Sequence, residues 1–214
     1  MRKGQIFLIL GIITVTILIS LRISLNLAKI METKRYMESG LEREEFQNIK
    51  DEVLKTIEIS YETNNITNKT EAFVGFARDV LKTRTMDFNA LVVQTIHLVV
   101  SPGAETILNV TVLNYLGSTI ETLNLSFSYD PSANKTFSSI TDTGRVDTSF
   151  TFIAVSDTYF TLTIYYKISS ENMTESILVP VEIGKSKLTS FFDLRLISSR
   201  GENRDKFNKT CTLS

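Results

Sequence analysis

An uncharged apolar run near the N-terminus constrains this chain more than any other feature. Residues 5–21 contain no charged side chain, and Ile23, Leu25 and Leu27 extend the apolar pattern. A bilayer core requires about 20 predominantly apolar residues in one helix. The sequence therefore predicts a membrane-spanning α-helix within residues 1–28. Arg22 lies near the far end of the run, where a long cationic side chain reaches the lipid headgroups at modest cost.

The charges around this run predict its orientation. Arg2 and Lys3 precede it, and the positive-inside rule then places the N-terminus inside and the C-terminal domain outside. Lys29, Lys34 and Arg35 on the other side oppose that bias. A cleavable secretory signal is the alternative, but no Ala-x-Ala-like site follows the run. The predicted localisation is a single pass through the cell membrane, with membrane lipid as a partner and a surface filament as a further location.

Seven Asn-x-Ser/Thr sequons lie beyond residue 60, on the side predicted to be outside. One sequon in a chain rich in Asn and Thr is weak evidence, but seven on one side of a predicted span agree with export. The candidate N-glycosylation residues are Asn65, Asn68, Asn109, Asn124, Asn134, Asn172 and Asn208.

After the predicted span the chain alternates in charge. Residues 29–60 carry apolar side chains at intervals of three, four or seven, which predicts an amphipathic helix. These are Ile30, Met37, Leu41, Ile49, Val53 and Ile57. The pair at residues 39–40, Ser-Gly, predicts a kink or a restart. The apolar stripe fits packing against the chain's own globular part, and it also fits packing against neighbouring copies.

Residues 61–90 predict a loop followed by a short helix that begins near Glu71. In that helix Phe73, Phe76, Val80 and Leu81 are expected to face the core.

From residue 91 the period of the pattern changes to two. Leu123, Leu125 and Phe127 alternate with Asn124 and Ser126, as expected for a strand with one buried face. Further alternating runs with turn residues between them predict an antiparallel immunoglobulin-like β-sandwich over residues 91–199. Residues 200–214 are expected to form a polar tail. The predicted fold class is α+β, with a long N-terminal helix, membrane-spanning and then amphipathic, ahead of the sandwich.

Few residues in the sequence indicate chemistry. The net charge is −1, so no basic excess points to nucleic acid. The single cysteine, Cys211, cannot form an internal disulfide. His97 is the only histidine and has no second histidine or thiol near it in sequence, which favours a structural residue in a strand.

Two acidic patterns also favour turns over chemistry. The tripeptide from Asp142 to Gly144 is the one that aspartic proteases use, but those enzymes need two such aspartates, so a turn in which Asp142 bonds its own backbone is the better interpretation. Asp130, Asp142, Asp147 and Asp157 lie in predicted turns, but their spacing matches no calcium-binding loop. We therefore predict neither enzymatic activity, nor a metal, nor a cofactor.

The N-terminal segment Arg2-Lys3-Gly4-Gln5, followed at once by the apolar run, resembles archaeal type IV pilin-like proteins with class III signal sequences. The resemblance implies that a prepilin-type peptidase cuts between Gly4 and Gln5. It also implies that the retained helix packs in a filament core with copies of itself or with other pilin-like subunits, below a β-rich headpiece that bears N-glycans. Ile9 departs from the family, which usually has a glutamate at that position, linked with subunit assembly.

The sequence thus favours a non-enzymatic cell-surface structural protein, a pilin-like subunit or minor component of a surface filament. The alternative is a stand-alone single-pass membrane-anchored ectodomain for binding or adhesion. An anchored enzyme is a more distant third hypothesis.

Overall fold

The computed structural model describes residues 3–61, 66–169, 171–199 and 201–213. Within these ranges, the side chains of residues 3–15, 18, 19, 35, 37–39, 59–61, 130–133 and 213 are outside the described set. The elements are α1 (Lys3–Tyr61), α2 (Ile66–Lys82), β1 (Asp87–His97), β2 (Glu105–Tyr115), β3 (Ile120–Phe127), β4 (Asp130–Ile140), β5 (Gly144–Ile153), β6 (Thr158–Ile168), β7 (Glu171–Val181), β8 (Ser186–Ser198) and β9 (Gly201–Leu213). The chain divides into two units, Met1–Glu45 and Phe46–Ser214.

The first unit is helical wherever it is described. The helix continues through residues 39–40 without a restart, and the kink at these residues stays a prediction. A glycine inside a helix costs only about 1 kcal/mol relative to alanine, which the neighbouring helix-forming residues can offset.

Among the described residues, no helix is both long enough and apolar enough to cross a membrane. Arg22, Lys29 and Glu32 follow one another closely in α1 and break up the apolar stretch that the described part contains. The predicted fold class is therefore wrong in its membrane-spanning helix. The single-pass localisation, with the N-terminus inside and the C-terminal domain outside, is wrong for the same reason.

The second unit contains two antiparallel sheets. The five-stranded sheet has the order β5-β2-β1-β8-β9, and the four-stranded sheet has the order β4-β3-β6-β7. This arrangement is compatible with the sandwich part of the predicted fold. Four consecutive pairs of strands are hydrogen-bonded, among them β1 with β2 and β6 with β7, and β1 also pairs with β8 across a long sequence separation.

An apolar core lies between the two sheets. Leu123, Leu125 and Phe127 of β3 are buried in it, as their alternation predicted, and Leu108 and Val110 enter it from β2. The ring of Phe127 lies 5.5 Å from that of Phe150, measured between centroids. This core joins the two sheets face to face.

A second core covers the opposite face of the five-stranded sheet. Phe46, Val53 and Ile57 of α1 pack there together with side chains of α2. Val53 and Ile57 are therefore buried against the chain's own globular part, which was one of the two expectations for the amphipathic stripe. The five-stranded sheet is consequently covered on both faces.

The buried face of α2 differs from the predicted one. It consists of Ile66, Thr70, Val74, Ala77 and Leu81. Phe76 is 64% exposed, so its predicted core position is wrong. The helix begins at Ile66, five residues before the predicted start, and the stripe of side chains at intervals of three or four that begins there sets the buried face.

Two strands were not predicted. β4 follows directly after the turn at residues 128–129, and β9 occupies the segment predicted to be a polar tail. β4 and β9 are edge strands. Natural edge strands are commonly polar and charged because such residues discourage pairing with other chains, so these segments lack a strong hydrophobic alternation.

Candidate functional site

His97 is a buried residue at the end of β1. Its Nε2 lies 3.1 Å from the carbonyl oxygen of Pro180, and its Nδ1 lies 3.4 Å from that of Leu98. The ring meets Phe152 edge to face, with centroids 6.1 Å apart. Backbone carbonyls and an aromatic ring thus surround the imidazole, as in a histidine that fixes strands.

Asp142 lies in the turn between β4 and β5. Its Oδ1 accepts a hydrogen bond of 2.9 Å from the backbone N–H of Gly117, and its Oδ2 lies 2.7 Å from Nη2 of Arg78 on α2. The carboxylate therefore joins two turns and a helix, whereas the sequence predicted a bond to its own backbone. A Cβ on Gly144 would approach the carbonyl oxygen of Thr141 to 2.6 Å, so the tight turn explains the glycine.

The other acidic residues predicted to lie in turns have separate partners, and Asp147 lies within β5 instead of a turn. Asp147 accepts hydrogen bonds from Thr111 Oγ1 at 2.6 Å and from Arg145 Nε at 2.7 Å. Asp157 Oδ1 accepts one of 2.8 Å from the backbone N–H of Ile183. The side chain of Asp130 lies outside the described residues. In the part of the chain that is described, no group of three or more His, Cys, Asp or Glu side chains could hold a metal ion.

A buried ionic cluster around Asp193 was missed by the sequence analysis. Asp193 lies on β8 and is fully buried. Arg204 of β9 donates from Nε to Oδ1 at 2.8 Å and from Nη2 to Oδ2 at 2.5 Å. Arg195 Nη2 donates to Oδ2 at 3.2 Å. The alternation of Asp193 with Arg195 was a visible signal, but Arg204 lay in the segment predicted to be a tail.

The same cluster reaches the other sheet. The hydroxyl of Tyr166 on β6 donates to Asp193 Oδ2 at 3.4 Å and lies 3.2 Å from the sulfur of Met173 on β7. An ion pair between Lys206 and Glu175 also connects β9 with β7. Together these contacts tie the two sheets at one edge of the sandwich.

The electrostatics of the cluster favour the ionised carboxylate. Burial alone would raise the pKa of Asp193, but the hydrogen bonds from Arg204 and Arg195 outweigh burial and lower that pKa below its ordinary value of 3.8. Burial, followed by the charge of Asp193, raises the pKa of the Tyr166 hydroxyl. The hydrogen bond to Asp193 raises the pKa of Arg204. Asp193, Tyr166 and Arg204 therefore keep fixed protonation states at neutral pH, as expected of groups that stabilise the fold.

The described part of α1 before Phe46 presents exposed apolar side chains, which we call the helix surface. Their exposed fractions run from 56% for Met31 to 65% for Ile30. At 3.6 residues per turn they cover an arc of about 220° around the helix. Arg22, Asn26 and Lys29 occupy the remaining sector, while Glu32 and Lys34 lie within the arc between apolar members. The members of the helix surface are Ile17, Leu21, Ile23, Leu25, Leu27, Ile30, Met31 and Leu41.

The sequon asparagines differ in accessibility. Asn68, Asn109, Asn134, Asn172 and Asn208 are exposed.

Asn124 is half-buried, and its Oδ1 is buried without a hydrogen-bond partner among the described residues. Asn65 lies outside the described residues, as do the side chains of Gly4, Gln5 and Ile9. Glycosylation and cleavage both stay predictions.

Cys211 is half-buried in β9, and burial raises the pKa of its thiol.

No protein-family model matches the chain, and no curated protein matches it. The pilin-like resemblance accordingly rests on the N-terminal residues alone.

We predict that Asp193→Asn lowers the free energy of unfolding at pH 7 by about 1.5–3 kcal/mol, because the partly exposed guanidinium groups of Arg195 and Arg204 lose their charged hydrogen-bond acceptor. The folded pKa of Asp193 lies below its unfolded value, so its contribution is complete above about pH 4 and is lost as the pH falls through the folded pKa. Urea unfolding followed by circular dichroism measures both effects. The difference between wild type and variant should shrink at acid pH.

The exposed Asp79→Asn serves as the control and should change stability by at most about 0.5 kcal/mol. A difference between wild type and Asp193→Asn that stays constant from neutral to acid pH would contradict the assigned ionisation.

Proposed function

We propose that this protein is a non-enzymatic structural subunit whose α1 packs against the α1 helices of other copies in a pilin-like filament. The β-sheet unit forms a headpiece around the helical core of that filament. The observation that carries the proposal is the helix surface, where apolar side chains are exposed over most of the helix circumference.

The arc that the helix surface covers favours packing against several other helices instead of one. A helix that packs on one sheet or one partner has an apolar stripe a little over 100° wide. The helix surface covers about twice that arc at 3.6 residues per turn. Burial of a large apolar side chain is worth about 1.5–3 kcal/mol, so its eight members represent a strong drive to associate. Two or more sister helices can supply the cover.

The burial pattern along α1 also supports the proposal, because it differs between two segments of the helix. Phe46 is 7% exposed, and Val53 and Ile57 are 1% and 0% exposed against the chain's own sheet. The described side chains of the helix before residue 41 are all exposed. One helix therefore carries a segment that its own headpiece covers and a segment available to other copies.

The resemblance at residues 2–5 supports processing by a prepilin-type peptidase between Gly4 and Gln5. In native protein we expect a mature chain that begins at Gln5, which mass spectrometry of the intact protein detects directly. A native chain that retains Met1 would contradict this step of the proposal. Packing of the helix surface between copies would then be tested by the association experiment alone.

For assembly, we predict that the double variant Leu27→Glu with Ile30→Glu abolishes association, because both charges would have to be buried between sister helices. Analytical ultracentrifugation of the full chain should give a mass that rises with concentration for wild type. The double variant should stay at the single-chain mass of 24.2 kDa. Negative-stain electron microscopy reports whether the associated species are filaments.

The matched control is Phe76→Glu, which places a charge at an exposed apolar residue of α2, outside the helix surface. This variant should associate like wild type. A wild-type chain that stays at 24.2 kDa at every concentration, or a double variant that still associates, would overturn the proposal.

A further inference from the structure

The outer face of the four-stranded sheet has an unusual composition, and we call it the hydroxyl face. Cross-strand pairing aligns its residues in rows that run across all four strands. One row is Thr136, Asn124, Tyr165 and Thr174, and the next is Asn134, Ser126, Thr163 and Ser176. Every member of these two rows carries a hydroxyl or an amide.

Among the described side chains of this face, charge is nearly absent. The row beyond Thr136 contains Ser138, Thr122, Lys167 and Asn172, and Lys167 is its only charged member. Its Nζ lies 2.8 Å from Oε2 of Glu121, which neutralises it. Glu175 on β7 alternates with the members of the face and pairs instead with Lys206 of the other sheet. The hydroxyl face is therefore neutral as well as polar.

An apolar platform adjoins the rows at the opposite end. Tyr159 is 72% exposed and lies directly across from Pro180, while Leu178 is 63% exposed and lies across from Thr161. Strands are spaced by about 4.8 Å, so a row of four spans about 14 Å. An aromatic ring thus stands beside a regular array of hydrogen-bonding groups. The Tyr165 hydroxyl, which donates to Asn172 Oδ1 at 2.9 Å, belongs to that array.

The composition of the hydroxyl face favours some classes of binding partner over others. Nucleic acids and acidic polymers require clustered cations, which the hydroxyl face lacks. A protein partner or a membrane surface would be met by a larger apolar centre than one tyrosine, one leucine and one proline. A neutral polysaccharide offers hydroxyl donors and acceptors together with apolar C–H faces that stack on aromatic rings. Its lack of charge complements the neutrality of the face.

We propose that the hydroxyl face binds neutral polysaccharide chains, with Tyr159 as the stacking residue and the rows of hydroxyl and amide groups as the hydrogen-bonding surface. This binding activity is additional to the proposed structural role and does not depend on assembly through α1.

The test is a binding isotherm of the full chain on three insoluble neutral polysaccharides, namely amorphous cellulose, chitin and cross-linked dextran. The chain is produced without N-linked glycans, so that Asn124, Asn134 and Asn172 on the face stay unmodified. We expect binding to at least one of the three, and Tyr159→Ala should weaken it about tenfold, the size of effect that a central aromatic contact gives. High salt should leave the affinity unchanged, because no charge is involved.

The matched control is Phe76→Ala, which removes a similarly exposed aromatic ring from α2 and should bind like wild type. Circular dichroism verifies that both variants are folded. The proposal is overturned if none of the three polysaccharides binds. Equal weakening by the two variants would indicate general apolar adhesion and would also overturn it, as would binding that high salt abolishes.

Discussion

The burial of the five-stranded sheet on both faces is the constraint on which the rest of the headpiece depends. Neighbouring residues of its central strands enter different cores: Val93 and Phe191 face the four-stranded sheet, while Val92 and Phe192 face the helices. Removing either layer would expose a full sheet face of large apolar side chains. The four-stranded sheet and the helical layer are therefore both required for a stable headpiece, and the second part of α1 belongs to the fold.

In a sheet buried on both faces, a charged side chain loses its hydration at a high cost in free energy. Asp193 is such a side chain. Its carboxylate receives hydrogen bonds from Arg204 and Arg195, so the loss of hydration is offset by charged donors at short range. Because Tyr166 and Met173 extend the cluster into the other sheet, the same groups also fix β7 relative to β8 and β9. The edge strand β9, polar in sequence, is held by these contacts and by Phe207, which stacks on Phe192 with ring centroids 5.1 Å apart.

How much the sequence predicts depends on the distance of each element from the cores. The alternation of β3 identified Leu123, Leu125 and Phe127 as buried, because one-sided burial leaves a period of two. β9 was missed because its stability comes from pairing with β8 and from Arg204, both non-local. The face of α2 was misjudged because Phe76 has a core-like side chain at a position that the stripe beginning at Ile66 leaves exposed. The membrane span was predicted from the uncharged run at residues 5–21 with Arg22 at its far end, whereas no helix among the described residues is both long enough and apolar enough to cross a membrane.

The two outer surfaces have opposite chemistry: the helix surface is apolar and suits burial by sister helices, whereas the hydroxyl face is neutral and polar and suits contact with a hydrated partner. Amide hydrogen exchange of the full chain at increasing concentration tests the central claim, association through α1, most directly. The account predicts that amides of residues 46–57 are protected at every concentration, while those of residues 17–41 gain protection only as copies associate. Residues 17–41 that exchange at the same rate at all concentrations, in a sample shown to be associated, would contradict it.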